Sequence, residues 1–280
     1  MGTDSERQNL LRGVLLKYKC RFAVLDLGAG DGCVADWIEQ EFPNAGVFTF
    51  DRAGPSVMKK DMTPHLLEQL ARREYFSVVL ALNFLPHLWA SDWRRAVTAV
   101  ACMGKNVLIQ LPPIGDYRAT GACIMPEMHA AVEQGGGVKI GEAWYESFQH
   151  RRPVWLITNN ESRSIEAHRP WTVTADESSV TKTRLEFTRP WIPGMNLWNM
   201  IGLGASRGWA AQLVTQFPLP EREHGDIYPW NFVYDGERLH LIDPHYEPGG
   251  HWALPDKDGM VNTVRMILEE PNNDWEESTG

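Results

Sequence analysis

A chain of 280 residues, 43% of them hydrophobic, is long enough to bury a core as one large domain or as two small ones. Its formal net charge of −9 argues against a nucleic-acid phosphate backbone as the main partner, which requires a basic face. No apolar run approaches the roughly 20 residues of a membrane span, and the first residues lack the apolar core of a signal peptide. Cys20, Cys33, Cys102 and Cys123 are too scattered for a metal pair or a disulfide framework, which points to a reducing cytoplasm.

Taken in order, residues 5–19 read as a lead-in helix. A short apolar strand (Phe22, Val24, Leu25, Leu27) then ends in three glycines at every second position, Gly28, Gly30 and Gly32. Residues 34–42 follow with helical spacing of their apolar side chains. Strand, glycine turn and helix form the unit in which backbone approaches a cofactor at the carboxyl end of a parallel strand. Glycine turns where a Cβ would clash, leaving room for a bulky ligand.

The spacing Asp26-x-Gly28-x-Gly30-x-Gly32 differs from the Gly-x-Gly-x-x-Gly of dinucleotide sites. It resembles the first motif of class I S-adenosylmethionine (SAM) methyltransferases. That resemblance implies that Asp26, Gly28 and Gly30 face the amino acid part of SAM. A second strand, 46–51, ends in Asp51 about 20 residues beyond the glycine turn, where an acid can hydrogen-bond a ribose diol; the alternative is a surface aspartate at a strand end. Residues 58–62 resemble the end of the family's third strand, with Asp61 and Met62 against the adenine. Asp61 could equally cap the helix expected over 63–72.

Residues 75–83 form a continuous apolar run, as in a central parallel strand covered on both faces. It closes on Asn83-Phe-Leu-Pro-His87, similar to the fourth methyltransferase motif beside the sulfonium. His87 is a candidate to accept a proton, its ordinary pKa lying near neutrality; the alternative is that it packs at the start of the next helix. Ser91 is expected to cap a helix through Val100. A strand over 105–111, a helix around 126–134 and two final strands, 138–148 and 153–158, complete the order of elements of the class I methyltransferase fold.

Residues 159–183 are polar and poorly patterned, as in a linker or a small irregular sheet. Beyond a strand, a turn and a helix start at 185–198 comes His224-Gly-Asp226-Ile-Tyr-Pro-Trp-Asn231, then a hairpin with Asp235-Gly236 at its turn and Asp243 after its second strand. The His-x-Asp-x-x-x-x-Asn spacing is that of a kinase catalytic loop, and its His-Gly-Asp form resembles aminoglycoside- and choline-type small-molecule kinases. Phosphoryl transfer requires a carboxylate near the acceptor hydroxyl, and an amide with a second carboxylate holding Mg²⁺ on ATP. The resemblance gives the first role to Asp226 and the others to Asn231 and Asp243, with Asp258 supporting the loop. Asp243 is followed by Pro244-His245 instead of Phe-Gly, no phosphate-covering glycine loop precedes, and Lys182 is the only lysine between residue 159 and the hinge-like Arg189–Gly194 segment.

The expected architecture is therefore α/β: a class I methyltransferase domain over 1–158, Rossmann-like with a mostly parallel seven-stranded sheet, and a truncated protein-kinase-like α+β domain over 159–280. Together the halves resemble the bifunctional kinase–methyltransferases that cap bacterial O-antigen polysaccharides. This implies SAM-dependent O-methyl transfer onto a small-molecule or glycan acceptor, a sugar or its phosphate. Two alternatives stay open: a small-molecule kinase beside a non-catalytic methyltransferase fold, and a non-enzymatic assembly protein built on these folds.

Overall fold

The computed structural model describes residues 4–52, 54–116, 119, 121–145, 150–159, 192–218, 228–241 and 257–270, with four strand segments between 163 and 189. The first half runs α1 (Asp4–Leu15), β1 (Phe22–Leu27), α2 (Cys33–Glu41), β2 (Ala45–Phe50), α3 (Pro64–Arg73), β3 (Phe76–Leu82), α4 (Trp93–Cys102), β4 (Gly104–Gln110), α5 (Met125–Gln134), β5 (Val138–Tyr145) and β6 (His150–Thr158). The sheet has the order β2-β1-β3-β4-β6-β5, parallel through β4 and antiparallel at β6 and β5. This is a six-stranded, mostly parallel α/β sheet.

Among the described residues this sheet has six strands, one fewer than the seven expected. Residue 58 makes one isolated parallel bridge, Phe50↔Met58, and the ladder stops there. Pro64 lacks an N–H and holds Thr63 extended, which turns the chain into α3 soon after the bridge. Thr63 supplies the cap of α3, accepting from the Leu66 N–H at 3.2 Å, so Asp61 is not the capping residue. Ser91 does not cap α4 either. That helix starts at Trp93, after Asp92, and the Ser91 hydroxyl donates to the Leu88 carbonyl at 2.7 Å.

The four parallel strands, β1 to β4, are buried on both faces, which explains their apolar runs. Ala23, Leu25 and Leu27 face α3 and α4 with Phe48 and Phe50, while Phe22 and Val24 face α1 and α2 with Val47. Asp26 takes the last position of the second series and is the polar exception, 2% exposed.

In the second half, β7 (Arg163–Glu166), β8 (Thr172–Ala175), β9 (Val180–Lys182) and β10 (Phe187–Arg189) form an antiparallel sheet where a linker or small sheet was expected. After it come β11 (Met195–Asn196), α6 (Leu197–Gly202), α7 (Arg207–Thr215), β12 (Phe232–Tyr234), β13 (Leu239–Leu241) and α8 (Lys257–Glu269). The hairpin turn is centred on Gly236-Glu237 and not on Asp235-Gly236. The Asp235 N–H donates to the Arg238 carbonyl at 3.1 Å, Gly236 takes φ +96°, and the Asp235 side chain accepts from the N–H groups of Glu237 and Arg238.

The halves share a core. Met195, Met200, Leu203 and Ala205 belong to the same buried cluster as Phe48, Phe50 and Met58. Glu74, buried between α3 and β3, accepts from the Asn196 N–H at 3.1 Å and the Asn199 amide at 2.6 Å. Burial pushes its carboxyl up to about 7, against those hydrogen bonds, which lower it. No described helix is long and apolar enough to cross a membrane.

Candidate functional site

The carboxyl ends of β1, β2 and β3 open on a cavity of about 850 Å³. Eight residues singled out in the sequence line it together: Asp26, Gly28, Gly30, Asp51, Asp61, Met62, Asn83 and His87. The wall is completed by Arg7 of α1, Arg52, Phe84, and the aromatic pair Trp144 and Tyr145 at the end of β5.

The glycine turn is built as the spacing requires. Gly28, Gly30 and Gly32 all have positive φ, and the Gly28 N–H donates to the Phe50 carbonyl at 2.8 Å, tying the turn to β2. A Cβ on Gly28 would press on the Phe84 ring at 3.1 Å. At Gly30 nothing lies within 4 Å of a Cβ position, so the backbone there faces open space. Asp51 accepts the Gly30 N–H at 3.0 Å, joining the acid at the end of β2 to the turn.

Asp26 is the electrostatic centre. One carboxyl oxygen is buried with no hydrogen-bond partner among the described residues. Burial raises its pKa to about 7; the Arg7 charge works against this and the Asp51 charge adds to it. An orphaned carboxyl oxygen at a cavity wall marks a place where a donor, preferably cationic, gains more than it would in water. Asp31 differs, because it is exposed and its bonds to Cys33 hold its pKa below the usual carboxylate range.

Asn83 has φ +62°, the sole positive value for a non-glycine among the described residues. Its amide is engaged at both ends, donating to Gln110 Oε1 at 3.0 Å and accepting from Arg152 at 2.6 Å. Arg152 is buried, with its guanidinium 3.9 Å from the Tyr145 ring centroid. Asn83 therefore shapes the floor of the cavity, and its side-chain amide is turned to this network. His87 lies in a one-turn 3₁₀ helix, Leu85–Leu88, and is exposed at the cavity rather than packed in the next helix.

Sequence reasoning missed Arg7, Arg152 and the cavity role of Trp144 and Tyr145. The aromatic pair at a strand end was visible. Arg7 carried no signal, because what places it is the docking of α1, where Glu6 accepts from the Trp144 N–H at 3.1 Å and bonds Arg151 at 2.6 Å.

In the second half, Asn231 is buried in the turn that enters β12, whereas Asp226 and Asp243 lie outside the described residues. Among the described residues no group of three His, Cys, Asp or Glu side chains could hold a metal ion.

No family model and no curated protein sequence matches the chain. Solved structures to which it is similar include the bifunctional kinase-methyltransferase WbdD, at 15% identity over 94% of this chain and 79% of that one, TM-score 0.44. Others are magnesium protoporphyrin IX methyltransferase from Synechocystis PCC 6803, at 15% identity over 55% of this chain and 80% of that one, TM-score 0.41, and an O-methyltransferase family protein from Burkholderia thailandensis, at 18% identity over 52% of each, TM-score 0.39.

Proposed function

We propose that the chain is a SAM-dependent O-methyltransferase whose first half, 1–158, binds SAM in this cavity and whose second half, 159–280, is a reduced kinase-like domain serving the acceptor. The observation that carries this reading is the unpartnered oxygen of Asp26 beside a glycine turn left open at Gly30. Those residues fit the cofactor. Asp26 would hold its ammonium, Asp51 its ribose diol, and Met62 with Asp61 its adenine, while Arg7 would balance its carboxylate. When bound, SAM supplies a methyl group on a sulfonium. Four carboxylates line the cavity (Asp26, Asp31, Asp51, Asp61) against two guanidiniums (Arg7, Arg52), a balance that favours a cationic ligand.

Methyl transfer is a direct displacement, so alignment of donor and acceptor contributes much of the acceleration. The wall formed by Trp144, Tyr145 and His87 would align the acceptor, which we take to be a sugar hydroxyl or a sugar phosphate. His87, exposed there, would take the proton from a hydroxyl acceptor. An anionic phosphate oxygen needs no base, and His87 would then be dispensable.

Replacing Asp51 with alanine is expected to weaken SAM binding by roughly 1–3 kcal/mol, about 5- to 150-fold, the cost of unpairing bonds to a charged group. Calorimetric titration measures this directly, and unchanged affinity removes Asp51 from the site.

The kinase-like half rests on the spacing of His224, Asp226, Asn231 and Asp243, and on the hairpin that Asn231 enters. With Asp226 near the acceptor hydroxyl and Asn231 and Asp243 on Mg²⁺, this half would bind ATP. Metal-dependent ATP binding that disappears in Asp243→Asn is the expected result, and identical titrations for variant and parent would contradict the role. Binding of neither SAM nor Mg-ATP would favour the non-enzymatic assembly protein; ATP turnover lost in Asp226→Ala, without SAM chemistry, would favour the small-molecule kinase.

A further inference from the structure

Beyond β2 the sheet is reduced to the single bridge at Met58, so residues 59–62 have no ladder to hold them, although Asp61 and Met62 line the cavity. They rest instead on the turn between α6 and α7. Gly204 has φ +94°, and a Cβ there would lie 2.6 Å from the Lys59 carbonyl oxygen and 3.0 Å from the Lys59 carbonyl carbon and nitrogen. Backbone meets backbone, so neither side can give way by rotating a side chain. Lys60 reaches the same turn, its ammonium donating to the Gly202 carbonyl at 3.5 Å. Met58 shares a buried cluster with Met200, Leu203 and Ala205, and Met62 packs against that cluster. The turn itself is fixed, with the Gly204 N–H on the Ile201 carbonyl at 3.0 Å and the Ala205 N–H on the Met200 carbonyl at 2.9 Å.

We propose that the α6–α7 turn, through Gly204 against Lys59, positions the Asp61–Met62 wall of the cavity, so that the second half of the chain sets the affinity of the first for an adenine nucleoside. The ligand in this statement rests on the SAM reading above; the positioning rests on packing alone. The turn takes the place of a missing strand. Any displacement of α6 and α7 is passed to the cavity wall through main chain. Gly204 is thus a positioning residue that touches no ligand.

The test compares the full-length parent with Gly204→Ala and Lys60→Met, and with Gly208→Ala as control. Gly208 lies on α7, where a Cβ meets only the Ser206 hydroxyl at 3.9 Å. Two quantities are measured: SAM affinity by calorimetry and amide hydrogen exchange along the chain. In Gly204→Ala, SAM binding is expected to weaken at least 10-fold, and exchange of the Met58 amide, bonded to the Thr49 carbonyl at 3.1 Å, to quicken at least 10-fold. The Gly28 amide, bonded to the Phe50 carbonyl of β2 at 2.8 Å, should keep the parent's rate, a distinction that mere loss of stability would erase. Lys60→Met should shift both readouts about 3-fold in the same sense without introducing a clash, and it decides the matter if Gly204→Ala does not fold. Gly208→Ala should match the parent. Parent-like SAM affinity and Met58 exchange in both variants would overturn the proposal, and so would uniform acceleration that includes Gly28. Failure of the parent to bind SAM would overturn the ligand reading, while the exchange data would still decide what positions the wall.

Discussion

Replacing Gly46 with valine should cost about 2–4 kcal/mol of folding stability, the range of a strained, overpacked site. Gly46 lies in β2 on the same face as Phe48 and Phe50, and the turn of the β12–β13 hairpin sits directly on it. A Cβ at Gly46 would lie 2.0 Å from the Asp235 carbonyl oxygen, and one at Gly236 would lie 2.4 Å from the Gly46 Cα. Nothing flexible stands between them. The hairpin is also held by Arg21, which donates to the Asp235 carbonyl and pairs with Glu237 at 2.8 Å, and by the edge-on contact of Phe48 with Tyr234. Valine must therefore lift the hairpin off the sheet and open the cluster that both halves share. Denaturant unfolding of parent and variant measures the loss. An unfolding free energy within a few tenths of a kcal/mol of the parent's would mean that the hairpin does not rest on β2.

This contact shows what local sequence can and cannot reveal. The glycine turn, the acid at the end of β2 and the central strand were legible, because their signals lie within a few residues: an apolar run, alternate glycines, an aspartate at a strand end. Gly46 and Gly204 carry no such signal. Each is glycine because backbone from more than 140 residues away in the chain rests on it, at Asp235 in one case and Lys59 in the other. The count of seven strands failed for a related reason. Residues 58–62 have the composition of a strand end, but Thr63-Pro64 turns the chain into α3 after one bridge, and the second half supports what remains. Arg7 and Arg152 were missed because helix docking and the pairing of β6 with β4 bring them in. The motif that pointed to Asn83 falls on the turn that closes β3 and lines the cavity, and the Asn83 side-chain amide there is bonded to Gln110 and Arg152.

The largest effect on binding is expected at Asp26, and pH should reveal it. Its carboxyl titrates near 7 in the folded chain against an ordinary 3.8, mainly because it is buried. A raised carboxyl pKa means the folded state holds this proton more tightly than the unfolded one. The associated stability is complete below pH 4 and is lost as pH rises to about 7, a change on the order of a few kcal/mol. Glu74 is raised to about 7 as well and acts in the same direction, so the parent's profile alone cannot separate the two. The Asp26→Asn variant can. It removes one of the two contributions, and should gain stability relative to the parent as pH rises from 4 to 8. Ligand binding should move the opposite way. On the proposed reading the ammonium of SAM pairs with the carboxylate form, so affinity should climb up to tenfold per pH unit below 7 and flatten above it, and binding should release close to one proton at pH 6. In Asp26→Asn the slope should vanish and affinity should drop about 100-fold, as expected when a charge-assisted bond in a buried site is lost. Titrations from pH 5.5 to 8 in buffers of different ionisation enthalpy measure both quantities. A parent whose SAM affinity and proton release do not change across that range would take Asp26 out of contact with the cofactor.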